Sequence, residues 1–479
     1  MTKPEGSLEW SHLHNSKFEV NKSTVMHFSR KTSLDLENNG CVPIHKPNII
    51  IEGHQVKKTN TYKYLGILLN NKLNWKGQAQ RMTANTTKWI LQFRRLTKPS
   101  TGIRPKLMHQ LYKAVALSKI RYGIDTWYTP PNKHEGHTRN SGSVNALRNL
   151  QKIQCMAALA ITRTLCSSPN DFIDAHANIL PIKLTLQKAC HSATIRHLTL
   201  PDTNMIHHVI KDFVLHPSTT HLSPHFKLII FFQVTNHNIE TIIPTTPLPP
   251  PNTMINTLIN NSRESSIQSK ASDDADFKLY ADGSCYNNGI SATAVLYKKN
   301  AIQPLKTLQL FSGSPEEHNT FKAEAAGAIL TLWIIENHAS TTGKKSMSLQ
   351  SIIQSLKTFN SNSGQHLIQA LKLAIINNRS NLTVKWISSH SKVLGNKKAD
   401  QLAKKAAEGC SSALTSLPHL FRTPLPRSTS RTKQAYNLTL HKIWTNQWNR
   451  SPRKNKITQL GEDFPFKKFT KTLSKLTRK

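Results

Sequence analysis

Phe277-Lys-Leu-Tyr-Ala-Asp282-Gly-Ser284, followed by Ser291-Ala-Thr-Ala-Val-Leu-Tyr297, is the stretch on which the fold of this chain turns. Apolar residues alternate in both runs, as strands require. The Asn-Asn-Gly sequence at Asn287 to Gly289 is the turn chemistry of a tight hairpin. Gly283 lets the backbone turn away and leaves Asp282 at the strand edge. Working outward, Thr320-Phe-Lys-Ala-Glu324-Ala-Ala-Gly-Ala-Ile-Leu-Thr-Leu332 reads as a helix whose small face approaches a sheet, with Glu324 an acid among alanines.

Further along, Thr383-Val-Lys-Trp-Ile-Ser388 reads as a buried strand and Ser389-His390-Ser391 as the loop after it. Gly395-Asn396 is expected to cap a helix Lys397-Lys-Ala-Asp400-Gln-Leu-Ala-Lys404, with Asp400 in its first turn, where the helix dipole favours a carboxylate. The whole region reads strand, strand, strand, helix, strand, helix, helix, strand, helix, an α/β alternation.

The ordered set Asp-Gly-Ser with hairpin, Ala-Glu in a small-residue helix, Trp-x-x-x-His before Gly-Asn, and Ala-Asp-x-Leu-Ala resembles the type 1 ribonuclease H family. The resemblance covers residues 274–409 and implies a ribonuclease H-like, mixed five-stranded sheet with flanking helices. It implies cleavage of the RNA strand of an RNA–DNA hybrid. The hybrid would be recognised by its A-like shape and 2′-OH groups. In that family clustered carboxylates hold two divalent ions, Mg²⁺ or Mn²⁺, about 4 Å apart; these activate water and stabilise the leaving oxygen. Carried over, the match makes Asp282, Glu324 and Asp400 metal ligands and His390 the loop residue that assists turnover. Ser284 and Asn396 become nucleic-acid contacts.

The family's further aspartate is missing. Matching Gln350 to Leu356 with the helix after it puts Ser348 at the ligand position, and no acid lies between Glu336 and Asp400. Lys397 stands where the family often has an acid. A two-metal site lacking one carboxylate is expected to bind metal weakly and to cut slowly. A non-catalytic nucleic-acid-binding remnant is the competing expectation.

Upstream, Phe18-Glu-Val-Asn-Lys22-Ser-Thr-Val-Met-His-Phe28 and Lys63-Tyr-Leu-Gly-Ile-Leu-Leu-Asn-Asn-Lys-Leu-Asn-Trp75 resemble non-LTR (LINE-type) retrotransposon reverse transcriptases just after their catalytic palm. Leu111 to Val115, then Tyr122 to Trp127, resemble the helical thumb, and Leu150 to Pro181 the connection. The resemblance implies a mainly helical thumb and connection remnant, with Lys63 and Tyr64 able to contact nucleic acid. Core packing is the competing role for Tyr62, Tyr64 and Trp75. Polymerisation needs an aspartate pair on a hairpin. None precedes Lys22, and Asp273-Asp274 reads as solvated linker, so no polymerase activity is expected. The expected division is residues 1–130 as palm and thumb remnant, 144–215 as connection, 216–273 as Pro-rich linker, 274–409 as nuclease, and 410–479 as a basic tail. That tail should hold only a short helix around Leu438 to Trp448.

Sixty-four Lys and Arg face 26 Asp and Glu, a net charge of +38 that points to a polyanionic partner. Six scattered cysteines without a CxxC pair argue against a zinc module and for a reducing compartment. The N-terminus carries no signal-like apolar run, so an intracellular protein of nucleus or cytoplasm, with no membrane partner, is expected.

Overall fold

In the computed structural model the described residues are 6–16, 19, 22–28, 32–35, 40–43, 47–51, 53–97, 102–133, 136, 138–217, 222–234, 239–243, 256–260, 262–338, 343–349, 351–357, 362–377, 381–386, 393–457 and 464–465. The chain divides into two compact units, one formed by Met1–Cys190 with Trp444–Lys479, the other by His191–Ile443.

The second unit holds a mixed sheet. Its strands are β1 (Phe277–Tyr286), β2 (Gly289–Lys298), β3 (Lys306–Gly313), β4 (Lys345–Leu349) and β5 (Leu382–Trp386), with Asn256–Leu258 added at one edge. The order across the sheet is β3-β2-β1-β4-β5 and then Asn256–Leu258. The first two pairings are antiparallel; β1–β4, β4–β5 and β5 with Asn256–Leu258 are parallel. The sheet therefore has six strands among the described residues, not five. The sixth comes from the stretch expected to be linker.

The β1–β2 hairpin closes on Asn287 and Asn288, both at positive φ (44° and 61°), with Tyr286 paired to Gly289. Two such residues match the right-handed twist of the flanking strands. Helices α1 (Thr320–Asn337), α2 (Ile353–Lys357), α3 (Gln365–Asn377) and α4 (Leu394–Ala407) complete the expected alternation. The core packs Leu279, Ala281, Ala292 and Ala294 of the sheet against Ala326, Leu330 and Ile334 of α1 and Leu367 and Leu371 of α3.

Several regions expected to be irregular are built in. Pro224–Phe232 is a helix with Ser223 accepting from the Phe226 amide, a cap and N1 proline that outweigh the surrounding polar sequence. Helix α5 (Thr429–Asn449) is longer than the short helix expected there. Residues Ser411 and Ser412 lie along β3: their hydroxyls accept from the Phe311 and Gln309 amides, and the Ser412 amide donates to the Gln309 carbonyl.

Asp273, expected to be solvated, is buried. It accepts from the Ser346 hydroxyl on β4 and sits 3.0 Å from the Lys385 ammonium on β5. Asp274 is the solvated member, paired at the surface with Lys344.

A deeper tie fastens α1. Glu240, 1% exposed, lies 3.1 Å from the Lys322 ammonium, itself 1% exposed. Its carboxylate also accepts from the Ser363 hydroxyl and from the Gly364 and Thr429 amides. Burial alone would raise the Glu240 carboxyl, but Lys322 and these three donors hold it below its ordinary value and so ionised. Glu240 comes from the expected linker and Thr429 from the expected tail; both belong to the fold of the second unit.

The first unit is mainly helical. Ile90 and Phe93 of Lys76–Arg95, Met108 and Ile120 of the next helices, and Leu150 and Ile153 of Val144–Thr162 are all buried. Inside this core Tyr112 donates to Gln154 (3.1 Å), and the Gln154 amide donates to Asp174 (3.0 Å). Thr61–Tyr64 and Ile67–Asn70 pair as an antiparallel hairpin. Leu65 and Gly66 take positive φ (44° and 84°), which glycine tolerates. Trp444 and Trp448 are buried, a packing role rather than a platform for bases. No helix among the described residues is long and apolar enough to cross a membrane.

Candidate active site

Asp282 stands inside β1 opposite Thr293 of β2. The strand continues through Gly283 to Tyr286, so Gly283 does not turn the chain away and Asp282 is not at the expected strand edge. Gly283, next to it, is where helix α1 comes closest. A Cβ there would lie 2.5 Å from the Glu324 amide nitrogen and 2.9 Å from the Ala323 Cβ. Only a residue without a side chain lets strand and helix backbones approach this far, and that approach sets Glu324 beside Asp282.

Asp400 arrives on α4. That helix is seated by β2 and β3: the Ser291 hydroxyl donates to the Ala403 carbonyl (2.6 Å), the Thr293 hydroxyl to Ala399 (3.0 Å), and the Gln309 amide to Leu402 (3.0 Å). The helix begins at Leu394, not Lys397, so Asp400 lies in its second turn and Gly395-Asn396 lie inside the helix, both buried. Dipole support is therefore weaker than expected. Lys404, one turn on, holds Asp400 at 2.8 Å instead.

The charges of Asp400 and Glu324 reach Asp282. Asp282 is pushed up to about 7, first by burial and then by the charges of Asp400 and Glu324. Glu324 is oriented from the far side by Ser351, whose hydroxyl and amide both donate to its Oε2 (hydroxyl 2.5 Å, amide 3.2 Å).

Ser348 is not beside them. It is 1% exposed within β4, paired in register with Tyr280 and Lys385, and its Oγ has no hydrogen-bond partner among the described residues. Tyr280 precedes Asp282 by one full strand repeat, so Ser348 falls the same distance short of the acidic end. Matching by the following helix misplaced it; the strand register is the signal that places it. Gln350 and His390 lie outside the described residues. Ser284 and Asn396 are 9% and 5% exposed, while Lys63 and Tyr64 are exposed on their hairpin in the first unit. Tyr62 and Tyr64 are thus surface residues, not core.

The donor set is of the right chemistry for a hard divalent cation, three carboxylates and oxygen only, but the three do not bring one oxygen each within 4.8 Å of the others in this structure. Asp282, Glu324 and Asp400 would have to close further to hold one together.

No family model matches the chain, and no curated protein matches it. Solved structures similar to it include the N-terminal RNase H domain of a Mycobacterium tuberculosis protein, fused to maltose binding protein. The two are 17% identical, over 27% of this chain and 98% of that one, with a TM-score of 0.24. LC11-RNase H1 in complex with RNA/DNA hybrid is 17% identical over 28% of this chain and 97% of that one (TM-score 0.23). The native prototype foamy virus protease-reverse transcriptase is 13% identical over 41% of this chain and 29% of that one (TM-score 0.24). All three are remote likenesses.

Proposed function

We propose that the second unit is a retrotransposon-derived, metal-dependent nuclease of ribonuclease H type, which cuts the RNA strand of RNA–DNA hybrids slowly. The observation that supports this reading is that β1, α1 and α4 pack together and carry Asp282, Glu324 and Asp400, distant in sequence, near enough for the latter two to act on the Asp282 carboxyl. A divalent cation bound there would supply water activation and stabilisation of the leaving oxygen. The chain's own contribution is placement. Gly283 brings Glu324 to Asp282, Ser351 fixes the Glu324 carboxylate, and the β2 hydroxyls seat the helix that presents Asp400.

No acid lies between Glu336 and Asp400, so the set stays at three carboxylates. That shortfall supports the second reading, a nucleic-acid-binding protein with an inactive nuclease fold. In the first unit, the Lys63-Tyr64 hairpin and its thumb-like helices would add contacts to the same nucleic acid.

A labelled hybrid incubated with Mg²⁺ or Mn²⁺ separates the readings. Wild type should cut measurably, and Asp282→Asn should cut about 100-fold less or worse. Gln350→Asp should raise cleavage, because position 350 follows Ser348 in the sequence by as many residues as Asp282 follows Tyr280, the register partner of Ser348. Ser348→Asp should not; it would bury an unpaired charge and destabilise the unit by several kcal/mol, about 3 or more. Absence of cutting in wild type and Gln350→Asp alike, with hybrid binding intact, establishes the binding protein instead.

A further inference from the structure

Helix α4 brings more to the sheet than Asp400. One side of it is built of small residues, Ala399, Ala403 and Ala406, all fully buried, and Ala399 packs with Tyr280 and Val295 of the sheet. The other side faces solvent and carries Lys397, Lys404 and Lys405, with Lys398 half-buried at its border.

The first two lysines do nothing for the helix. Lys397 closes its first turn, Lys398 opens the second, and the first turn holds no acid. Cations near a helix N-terminus oppose the dipole. Ion pairing does not explain them either. Of the two acids nearby, Asp400 is held by Lys404, and Glu408 accepts from the Asn287 side-chain amide. Lys397, Lys398 and Lys405 pair with no acid among the described residues.

Spacing narrows the partner. Lys397 and Lys404, like Lys398 and Lys405, are seven residues apart, two turns less about 20°, so each pair stands on one line about 10.5 Å long. One strand of a nucleic-acid duplex advances about 3.4 Å per phosphate, so each line spans about three phosphates. A repeating row of cations complements a repeating row of anions. Among the exposed residues of α4 only Leu394, at its start, is large and apolar, which leaves little to seat a hydrophobic partner. Asp400 lies between the two ends of these lines.

We propose that the lysine face of α4 is a docking surface for the sugar–phosphate backbone of the nucleic acid, holding one strand alongside Asp400. This rests on the reading of the second unit as a protein of RNA–DNA hybrids.

Full-length protein in chelator is titrated by anisotropy with a labelled hybrid over a range of salt. One variant combines Lys397→Gln, Lys398→Gln and Lys405→Gln and leaves Lys404 in place. The control combines Lys298→Gln, Lys299→Gln and Lys306→Gln, which removes the same charge from exposed positions. These lie toward the other end of β2, where Lys298 is five residues past Thr293, the partner of Asp282. The α4 variant should lower the slope of log K against log salt by about 2 to 3 and weaken the hybrid about 100-fold near about 0.1 M salt. The control should change the slope by less than about 1. The α4 variant should also melt no lower than wild type, since the lysines it loses include two that oppose the dipole. Equal losses in the two variants, or none in the α4 variant, overturn the proposal and leave hybrid binding itself standing. Hybrid binding kept by the α4 variant while binding to polyglutamate is lost gives the face to an acidic protein and overturns it as well. Wild type that binds no hybrid removes the reading on which the proposal rests, and the proposal with it.

Discussion

Asp174 shows what one buried carboxyl does to the first unit. Burial raises it to about 7, although the Gln154 amide donates to it, and Asp171 adds to the rise. The unfolded chain ionises this group near its ordinary value of 3.8, so folding is not penalised below that pH. As pH rises from about 4 to about 7 the unfolded state gains ionisation that the folded state resists, and stability falls, by roughly 4 kcal/mol at most. Above that window the loss is complete. His191, His318 and His366, each pulled down to about 4 by burial, act in the opposite direction on wild type between about pH 4 and 6.5, so the Asp174 contribution is read from a variant. We expect Asp174→Asn, which keeps an acceptor for Gln154, to gain more thermal midpoint over wild type at pH 8 than at pH 4.5, measured by circular dichroism. A gain no larger at pH 8 than at pH 4.5 would mean that Asp174 is not held protonated in the core.

The contact of β1 with α1 is the element that makes the candidate site. Gly283→Ala should push the Glu324 backbone off β1, costing about 1–3 kcal/mol and lowering any hybrid cleavage more than it lowers stability. The buried pair under the same helix behaves differently. Glu240→Ala leaves the Lys322 ammonium unpaired and should cost about 3–5 kcal/mol in denaturant titrations. Adding Lys322→Met should recover the part of that cost due to the stranded charge, and not the part due to the Ser363, Gly364 and Thr429 donors that lose their acceptor. These elements were unequally legible in the sequence. The strands around Asp282 and Thr293 and the small-residue helix of Glu324 follow from local alternation and spacing. Glu240 and Asp273 were not legible, because each sits among polar or proline-rich neighbours and its partners lie far along the chain. Ser348 was misplaced for a related reason: residues Gln350 to Leu356 look helical locally, while the pairing of Tyr280 with Ser348 is a non-local fact.

Over the whole molecule, the nucleic-acid partner proposed above would meet an excess of 38 positive charges. We expect hybrid binding, measured by anisotropy, to fall steeply with salt. A footprint of about six phosphates would weaken it about 10³-fold between 50 and 200 mM. Asp282→Asn should share that slope, since it alters chemistry rather than counterion release. A flat salt response would show that the charge serves another purpose. The serines after Cys410 carry a consequence of a different kind. Ser411 and Ser412 occupy the amides of Phe311 and Gln309 on a strand that would otherwise present open hydrogen-bonding groups to solvent. Replacing both with alanine should unmask a template for intermolecular β-pairing, visible as growing particles in light scattering of a protein that stays monodisperse with its serines in place.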